Sequence, residues 1–230
     1  MKILAIDTSN LVMGIAVTDG SKVIGEVITN LKKNHSVRVM PAISELLQEC
    51  GVLPNELNKI VVAKGPGSYT GVRIGVTIAK TLAWSLNLPL VGISSLEIIA
   101  ANGRYFRGLI SPIFDARRGQ VYTGLYTSKQ GEVVCEKQDR ILLLTEWVEQ
   151  LKETQSDVLF LGNDLEIHKD TITTKMGRQA IFAPFTAYNP RPSELAMIGM
   201  NKEPENVHTF VPNYIRMAEA EANWIALNQK

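Results

Sequence analysis

Apolar residues in the first hundred positions alternate between short runs and helical stripes. Runs rich in β-branched side chains at residues 3–6, 15–18 and 23–29 predict three strands, and Asp19-Gly20 is a hairpin signal between the last two. Residues 35–50 carry apolar side chains at helical spacing, and Gly51 is placed to end that helix. Further strands at 60–63 and 90–93 are each followed by a predicted helix. The pattern predicts an antiparallel meander followed by alternating strands and helices.

The same order restarts after an Asn-Gly-Arg segment at residues 102–104. Strands are predicted at 109–115, 120–126, 133–137 and 158–161, and helices at 146–153, 165–174, from Pro192 onward and at 217–228. We therefore predict an α/β protein of two lobes, residues 1–102 and 103–230. Each lobe would be a mixed sheet with helices, and the last helix could return to the first lobe.

The most distinctive segment is a glycine-rich turn between the strand at 60–63 and a helix that runs to about residue 86. It reads Gly65-Pro66-Gly67-Ser68-Tyr69-Thr70-Gly71-Val72-Arg73-Ile74-Gly75. The spacing G-x-G-x-x-x-G is one residue longer than a dinucleotide fingerprint, and no Lys-Ser or Lys-Thr pair follows, so it is not a Walker loop. We favour a tight turn that binds no ligand. In the alternative interpretation, in which the turn binds phosphate, Gly65 and Gly67 are the candidate residues.

The helix that follows carries small residues on one face. Gly71, Gly75, Ala79 and Ala83 recur every fourth position, so another helix could approach this face closely. Glycine inside a helix costs roughly 1 kcal/mol relative to alanine, and a close contact would offset that cost. The sequence leaves open whether the contact lies within the chain or with a partner.

Composition narrows the function classes. The 230 residues are 45% hydrophobic, ample for a large core, and the formal net charge is only +1, which gives little affinity for nucleic acid. Cys50 and Cys135 lie far apart and predict neither a disulfide framework nor a metal pair. With no signal peptide or membrane-length apolar run, we expect a cytoplasmic protein.

Four segments together resemble one known family. They are the glycine-rich run, Ile6-Asp7-Thr8-Ser9, Pro212-x-Tyr214-x-Arg216 and Asp115-Ala116-Arg117. Over essentially its whole length, the chain resembles the bacterial TsaB (YeaZ) family of tRNA threonylcarbamoyladenosine biosynthesis proteins. The resemblance implies a two-lobed fold of the actin, Hsp70 and sugar-kinase type.

The resemblance also implies a role as a partner subunit without activity alone. Members pair with a catalytic paralogue, TsaD, in the complex that installs threonylcarbamoyl on adenosine 37 of tRNA, with the ATPase TsaE as a third component. The metal-binding histidines of that paralogue fall here on Ser95 and Ile99, which cannot replace imidazole. We expect no cofactor for the chain alone, ATP or ADP only at a complex interface, and tRNA contact only indirectly.

The subunit contact is assigned to the two predicted helices at 35–50 and 71–86. Without its paralogue, the same surface would form a homodimer. The predicted interface residues are Val37, Met40, Leu47, Gly71, Gly75, Ile78, Ala79 and Leu82.

The alternative function is an ATP-binding phosphotransferase or metal-dependent hydrolase of the same fold. Asp7 and Thr8 would then join the glycine turn in holding phosphate or metal. In kinase-like members a glycine usually follows this aspartate, whereas here Thr8 follows. Hydrogen bonding of Asp7 and Thr8 within the hairpin is therefore favoured.

The remaining polar candidates point to structure rather than catalysis. His35, His168 and His208 have no ligand spacing. Asp115 and Arg117 are two apart on a predicted strand, so we expect an internal ion pair at the lobe junction. Tyr214 and Arg216 could clamp the tail to either lobe or to a partner.

Overall fold

The computed structural model describes residues 1–215, which form two lobes, each built on a five-stranded mixed sheet. In the first sheet the strand order is β3-β2-β1-β4-β5, with β1, β2 and β3 antiparallel and β4 and β5 parallel to β1. The strands are β1 (Lys2–Asp7), β2 (Val12–Asp19), β3 (Lys22–Asn30), β4 (Lys59–Ala63) and β5 (Leu90–Ile93).

The second sheet repeats this arrangement. Its order, β8-β7-β6-β9-β10, again places three antiparallel strands beside two parallel ones. The repeat confirms the predicted two-lobed α/β architecture, in which each half begins with a meander. The strands are β6 (Leu109–Asp115), β7 (Gln120–Lys129), β8 (Glu132–Leu143), β9 (Val158–Leu161) and β10 (Ala180–Phe182).

Helices cover both sheets and enclose separate cores. The six helices of residues 1–215 are α1 (Val39–Glu49), α2 (Tyr69–Leu86), α3 (Ser95–Ala101), α4 (Leu144–Lys152), α5 (Leu165–Met176) and α6 (Pro192–Met200). On the first sheet, α1 and α2 pack on one face and α3 and α6 on the other. In the second lobe, α4 and α5 close a core around the fully buried Trp147.

The chain returns to the first lobe after the second sheet is complete. The boundary after residue 102 separates the two sheets, yet α6 packs against β1 and β2. Lys59, on β4, donates to the carbonyl oxygens of Gly199, Met200 and Lys202 at 3.3, 2.7 and 3.2 Å, which fixes the end of α6. The predicted helix at 217–228 lies outside the described residues.

Some predicted boundaries were wrong for local reasons. The helix predicted at 35–50 is divided into a 3-10 turn (His35–Val37) and α1, with Pro41 in the first turn of α1. Helix α4 begins at Leu144 rather than at the predicted residue 146, with Leu143 as its N-cap. Strand β10 was missed because it has three residues and pairs only with β9. Among residues 1–215, no helix combines the length and hydropathy of a membrane span.

Candidate functional site

The glycine-rich turn joins β4 to α2, as predicted. Ser68 is the N-cap of α2, and its hydroxyl accepts a hydrogen bond from the Gly71 amide at 3.3 Å. Gly65 has a φ of 102°, which side-chain-bearing residues rarely adopt. The strand, turn and helix therefore form as the sequence indicates.

The turn is packed tightly against other backbone segments of the same chain. A Cβ on Gly67 would lie 2.1 Å from the Ser9 carbonyl oxygen, and a Cβ on Gly65 would lie 2.7 Å from that of Asn213. The Ser68 amide donates to the Ser9 carbonyl at 2.7 Å. Packing therefore explains why glycine occupies both candidate phosphate-binding positions.

Asp7 and Thr8 are buried at the end of β1 and bond within the protein. The Asp7 Oδ1 atom accepts hydrogen bonds from the Ser9 amide at 2.8 Å and the Ser9 hydroxyl at 2.7 Å. Burial raises the pKa of the Asp7 carboxyl despite these donors. The Thr8 hydroxyl donates to the Gly71 carbonyl at 2.7 Å. The hydrogen bonding favoured from the sequence is confirmed, and Thr8 extends it to the start of α2.

The small-residue face of α2 contacts the chain's own first sheet. A Cβ on Gly71 would lie 2.2 Å from the Thr8 carbonyl oxygen, and one on Gly75 would lie 2.5 Å from Thr8 Oγ1. Ala79 is fully buried, and Leu47 of α1 is buried in the first-lobe core. The assignment of Gly71, Gly75, Ala79 and Leu47 to a partner surface is therefore corrected: this chain already covers them.

Other predicted interface residues remain at the surface. Val37 is 69% exposed and Met40 is 42% exposed, while Ile78 and Leu82 are partly buried on α2. Trp84, also on α2, is 68% exposed. Trp84 was not among the predicted interface residues because it lies outside the apolar stripe of α2; the available signal was an aromatic residue on the helix. We call the outward side of the 3-10 turn, α1 and α2 the outer helical face.

A cleft of about 550 Å³ lies between the lobes, beside the start of α2. On one wall Tyr69 stacks on Tyr214 with ring centroids 4.9 Å apart, and Arg73 donates to the Tyr69 hydroxyl at 2.9 Å. Tyr214 thus holds the segment after α6 against the first lobe, while Arg216 lies outside the described residues. The opposite wall includes Asp115, Arg117, Tyr122 and Asp164.

Asp115 pairs with a histidine rather than with Arg117. Its Oδ1 atom lies 3.2 Å from His168 Nε2, and its amide donates to Asp164 at 2.9 Å. Burial raises the pKa of the Asp164 carboxyl. Strand β6 ends at Asp115, and Arg117 has a φ of 65°, so the two side chains do not share a strand face. The predicted Asp115–Arg117 ion pair was wrong for that reason.

The start of α3 carries the two positions aligned with the paralogue's metal ligands. Ser94 caps the helix, and Ser95 and Ile99 are both fully buried. Ile99 packs in the second-lobe core. Among residues 1–215, no three His, Cys, Asp or Glu side chains are grouped closely enough to hold a metal ion.

Comparison with known proteins agrees with this architecture. Residues 22–224 match the family model of TsaD, tRNA N6-adenosine threonylcarbamoyltransferase. The tRNA threonylcarbamoyladenosine biosynthesis protein TsaB of Bacillus subtilis is 59% identical over 225 residues, which are 98% of each chain. Escherichia coli TsaB is 29% identical over 174 residues, or 74% of each chain.

Solved structures support the same fold. YeaZ from Pseudomonas aeruginosa superposes with a TM-score of 0.75, covering 93% of this chain and 99% of that one at 23% identity. A second structure, described as an uncharacterized protein with similarity to peptidase YeaZ from Pseudomonas aeruginosa, superposes with a TM-score of 0.81, covering 94% of this chain and 99% of that one at 23% identity. The fold is thus the two-lobed actin-like fold predicted above. The match to the Bacillus subtilis protein covers nearly the full length of both chains, and it shows that this chain belongs to the TsaB family of tRNA threonylcarbamoyladenosine biosynthesis proteins.

Proposed function

We propose that this chain acts in tRNA threonylcarbamoyladenosine biosynthesis as a non-catalytic subunit that binds and stabilises a TsaD paralogue. The names of its relatives place them in this biosynthesis, and the match to the TsaD model supports descent from a common fold. A TsaE ATPase, and ATP or ADP, would join at the level of the complex, in the cytoplasm. The tRNA would be contacted mainly through the partner.

The observation that carries the proposal is the burial of Ser95 and Ile99. Both side chains expose 0% of their surface. An isoleucine packed in the second-lobe core offers no lone pair, and a lone serine hydroxyl is a poor ligand for a transition metal. Asp7, the other candidate for metal or phosphate, is fully buried; its Oδ1 is bonded to Ser9, and its Oδ2 has no hydrogen-bond partner among residues 1–215. The loss of both metal-ligand positions favours binding over catalysis.

The outer helical face supplies an apolar surface suited to a partner. Val37, Met40 and Trp84 each expose more than a third of their surface there. Exposed apolar side chains can contribute to protein interaction sites, and aromatic residues such as Trp often dominate the affinity of an interface. Without the paralogue, the same face would pair with a second copy to form a homodimer.

The proposal is tested by pull-down and titration of the purified TsaD paralogue against matched variants. Val37→Asp and Met40→Asp place a charge on the outer helical face. Ile167→Asp is the control, because Ile167 is also 69% exposed but lies on α5 of the second lobe. We expect the first two variants to weaken binding by at least ~30-fold, the scale of an interface hot spot, and the control to bind normally.

Two results would contradict the proposal. One is unchanged binding by both outer-face variants. The other is nucleotide hydrolysis by the isolated chain that disappears in Asp7→Asn, which would instead favour a phosphotransferase or hydrolase.

A further inference from the structure

A hydrogen-bonded cluster joins β8 to the start of α3. Asp139, on β8, accepts hydrogen bonds from the Ser94 hydroxyl and from the Tyr126 hydroxyl, each at 2.5 Å. The Ser94 oxygen also accepts from the Leu96 amide at 3.1 Å, as the cap of α3. One carboxylate therefore links a helix start to the second sheet through both of its oxygens.

The second sheet is locally irregular at this point. The pairing register between β7 and β8 shifts around Leu125. A Cβ on Gly124 would lie 2.9 Å from the Tyr126 ring and 3.0 Å from Asp139 Oδ1. The irregular register and the glycine together make room for the cluster, since bulges redirect side chains.

Helix α3 is shared between the lobes, so its position sets their relationship. Leu96 belongs to the second-lobe core, whereas Ile98 belongs to the core between α6 and the first sheet. The amide of Ser95 donates to the Gly65 carbonyl of the glycine turn at 3.0 Å. Neighbouring residues thus bond to opposite lobes, Ser94 to the second and Ser95 to the first.

We propose that Ser94, Tyr126 and Asp139 form a latch between the lobes, and that the latch is tightened by uptake of a proton. The geometry supports the latch. Two hydroxyls on different elements donate to one half-buried carboxyl at the start of α3, which is the only helix among residues 1–215 that packs into the core of both lobes. The hydrogen bond from the Ser95 amide to the Gly65 carbonyl connects the latch to the turn that precedes α2.

The direction of the pH effect follows from burial. Desolvation raises the pKa of Asp139 and outweighs the two hydroxyl donors, which lower it. When the lobes separate, the carboxyl meets water and its pKa returns toward the ordinary value. The latched form therefore binds the proton more tightly, so latching is favoured as pH falls and weakened as pH rises through the pKa of the latched carboxyl.

Other titratable groups face the same place and must be separated from Asp139. Tyr126 stays protonated, because burial raises its pKa further above neutrality. Glu97 of α3 also has a raised pKa through burial and is paired with Lys202 at 3.5 Å. Cys135 of β8 is exposed as a whole residue, but partial desolvation of its thiol and the nearby carboxylates raise its pKa.

The test measures the distance between spin labels on the two lobes as a function of pH. Labels are placed at the exposed positions Ser44 on α1 and Glu153 after α4, with Cys50→Ala and Cys135→Ser to remove native thiols. Between the pKa values of the open and latched carboxyl, the ratio of separated to latched molecules is expected to change up to about tenfold per pH unit.

Three variants decide the outcome. Asp139→Asn, which keeps the shape and removes the titration, should make the distance distribution independent of pH, while Glu97→Gln should leave the transition in place. Tyr126→Phe removes a donor to the charged form, so the transition should move to higher pH. The proposal is overturned by a distribution that does not change with pH in the parent, by a transition that survives Asp139→Asn, or by a shift to lower pH in Tyr126→Phe.

Discussion

Substituting Gly71 by alanine distinguishes a helix face covered by its own chain from one kept free for a partner. On a free face the change would stabilise the isolated chain, because alanine is better than glycine inside a helix by roughly 1 kcal/mol. In this structure the new Cβ would lie 2.2 Å from the Thr8 carbonyl oxygen, far inside contact distance. The obstacle is backbone, so it cannot rotate away.

The magnitude follows from what must move. Relief requires α2 or the β1–β2 hairpin to shift, which strains a packed core by about 1–3 kcal/mol or somewhat more. The shift also disturbs the 2.7 Å hydrogen bond from Thr8 to the Gly71 carbonyl, worth about 1 kcal/mol. After subtracting the propensity gain, we expect Gly71→Ala to lower the free energy of unfolding by about 1–3 kcal/mol.

The assay is urea unfolding followed by far-ultraviolet circular dichroism, with Thr77→Ala as the control. Thr77 is exposed on α2, so this change should raise stability by a few tenths of a kcal/mol through propensity alone. Opposite signs for the two variants support the structural argument. A Gly71→Ala variant as stable as Thr77→Ala would refute this explanation. The small-residue face would then again be a candidate for the partner surface.

Three further predictions concern stability and pH. Lys59→Met should lower the free energy of unfolding, measured in urea, by about 3–5 kcal/mol, because three carbonyl oxygens at the end of α6 lose a charged donor. The control Lys2→Met breaks an exposed ion pair with Glu56 and should lower it by under ~1 kcal/mol. Burial opposes ionisation of Glu26, but hydrogen bonds from Arg191 and Ser193 hold its pKa below the usual 4.5. The contribution of ionised Glu26 to folding stability is therefore complete above pH 4.5 and is lost as pH falls through the lowered pKa. Glu26→Gln should therefore unfold less steeply on acidification than the parent, and equal acid profiles would contradict this. Ser68→Ala should cost about 1 kcal/mol as a lost cap of α2, measured in the same way.

Local signals predicted the elements well where turn residues flank an apolar run. The bounds of β6 and β9 agree with the prediction because each is a short buried strand between polar segments. Strand β8 runs to Leu143, beyond the predicted residue 137, because charged residues interrupt its apolar pattern, although Lys137 and Arg140 pair with β7. Alternation of apolar and polar residues predicts strands that have one buried face, and it predicts largely exposed strands less well.

Long-range contacts were the part that sequence could not supply. Periodicity showed that Gly71 and Gly75 share a face, but the residue that covers them, Thr8, is more than sixty positions away along the chain. The same holds for Asp139, whose partner Ser94 lies on another lobe. Pattern reasoning identifies which side of a helix is unusual, whereas only the assembled fold shows what meets it.

The glycine turn illustrates how an anion-binding geometry can serve packing instead. A helix start favours a phosphate when its amides are unpaired and open to solvent. Here the Ser68 amide is bonded to Ser9, the Gly71 amide to the Ser68 hydroxyl, and the turn lies against the backbone of Asn213. The sides of the turn at Gly65 and Gly67 are therefore covered by the chain's own backbone. Two distant parts of the chain, the β1–β2 hairpin and the segment after α6, thus pack against the turn, which favours a rigid lobe that presents its outer helical face to a partner.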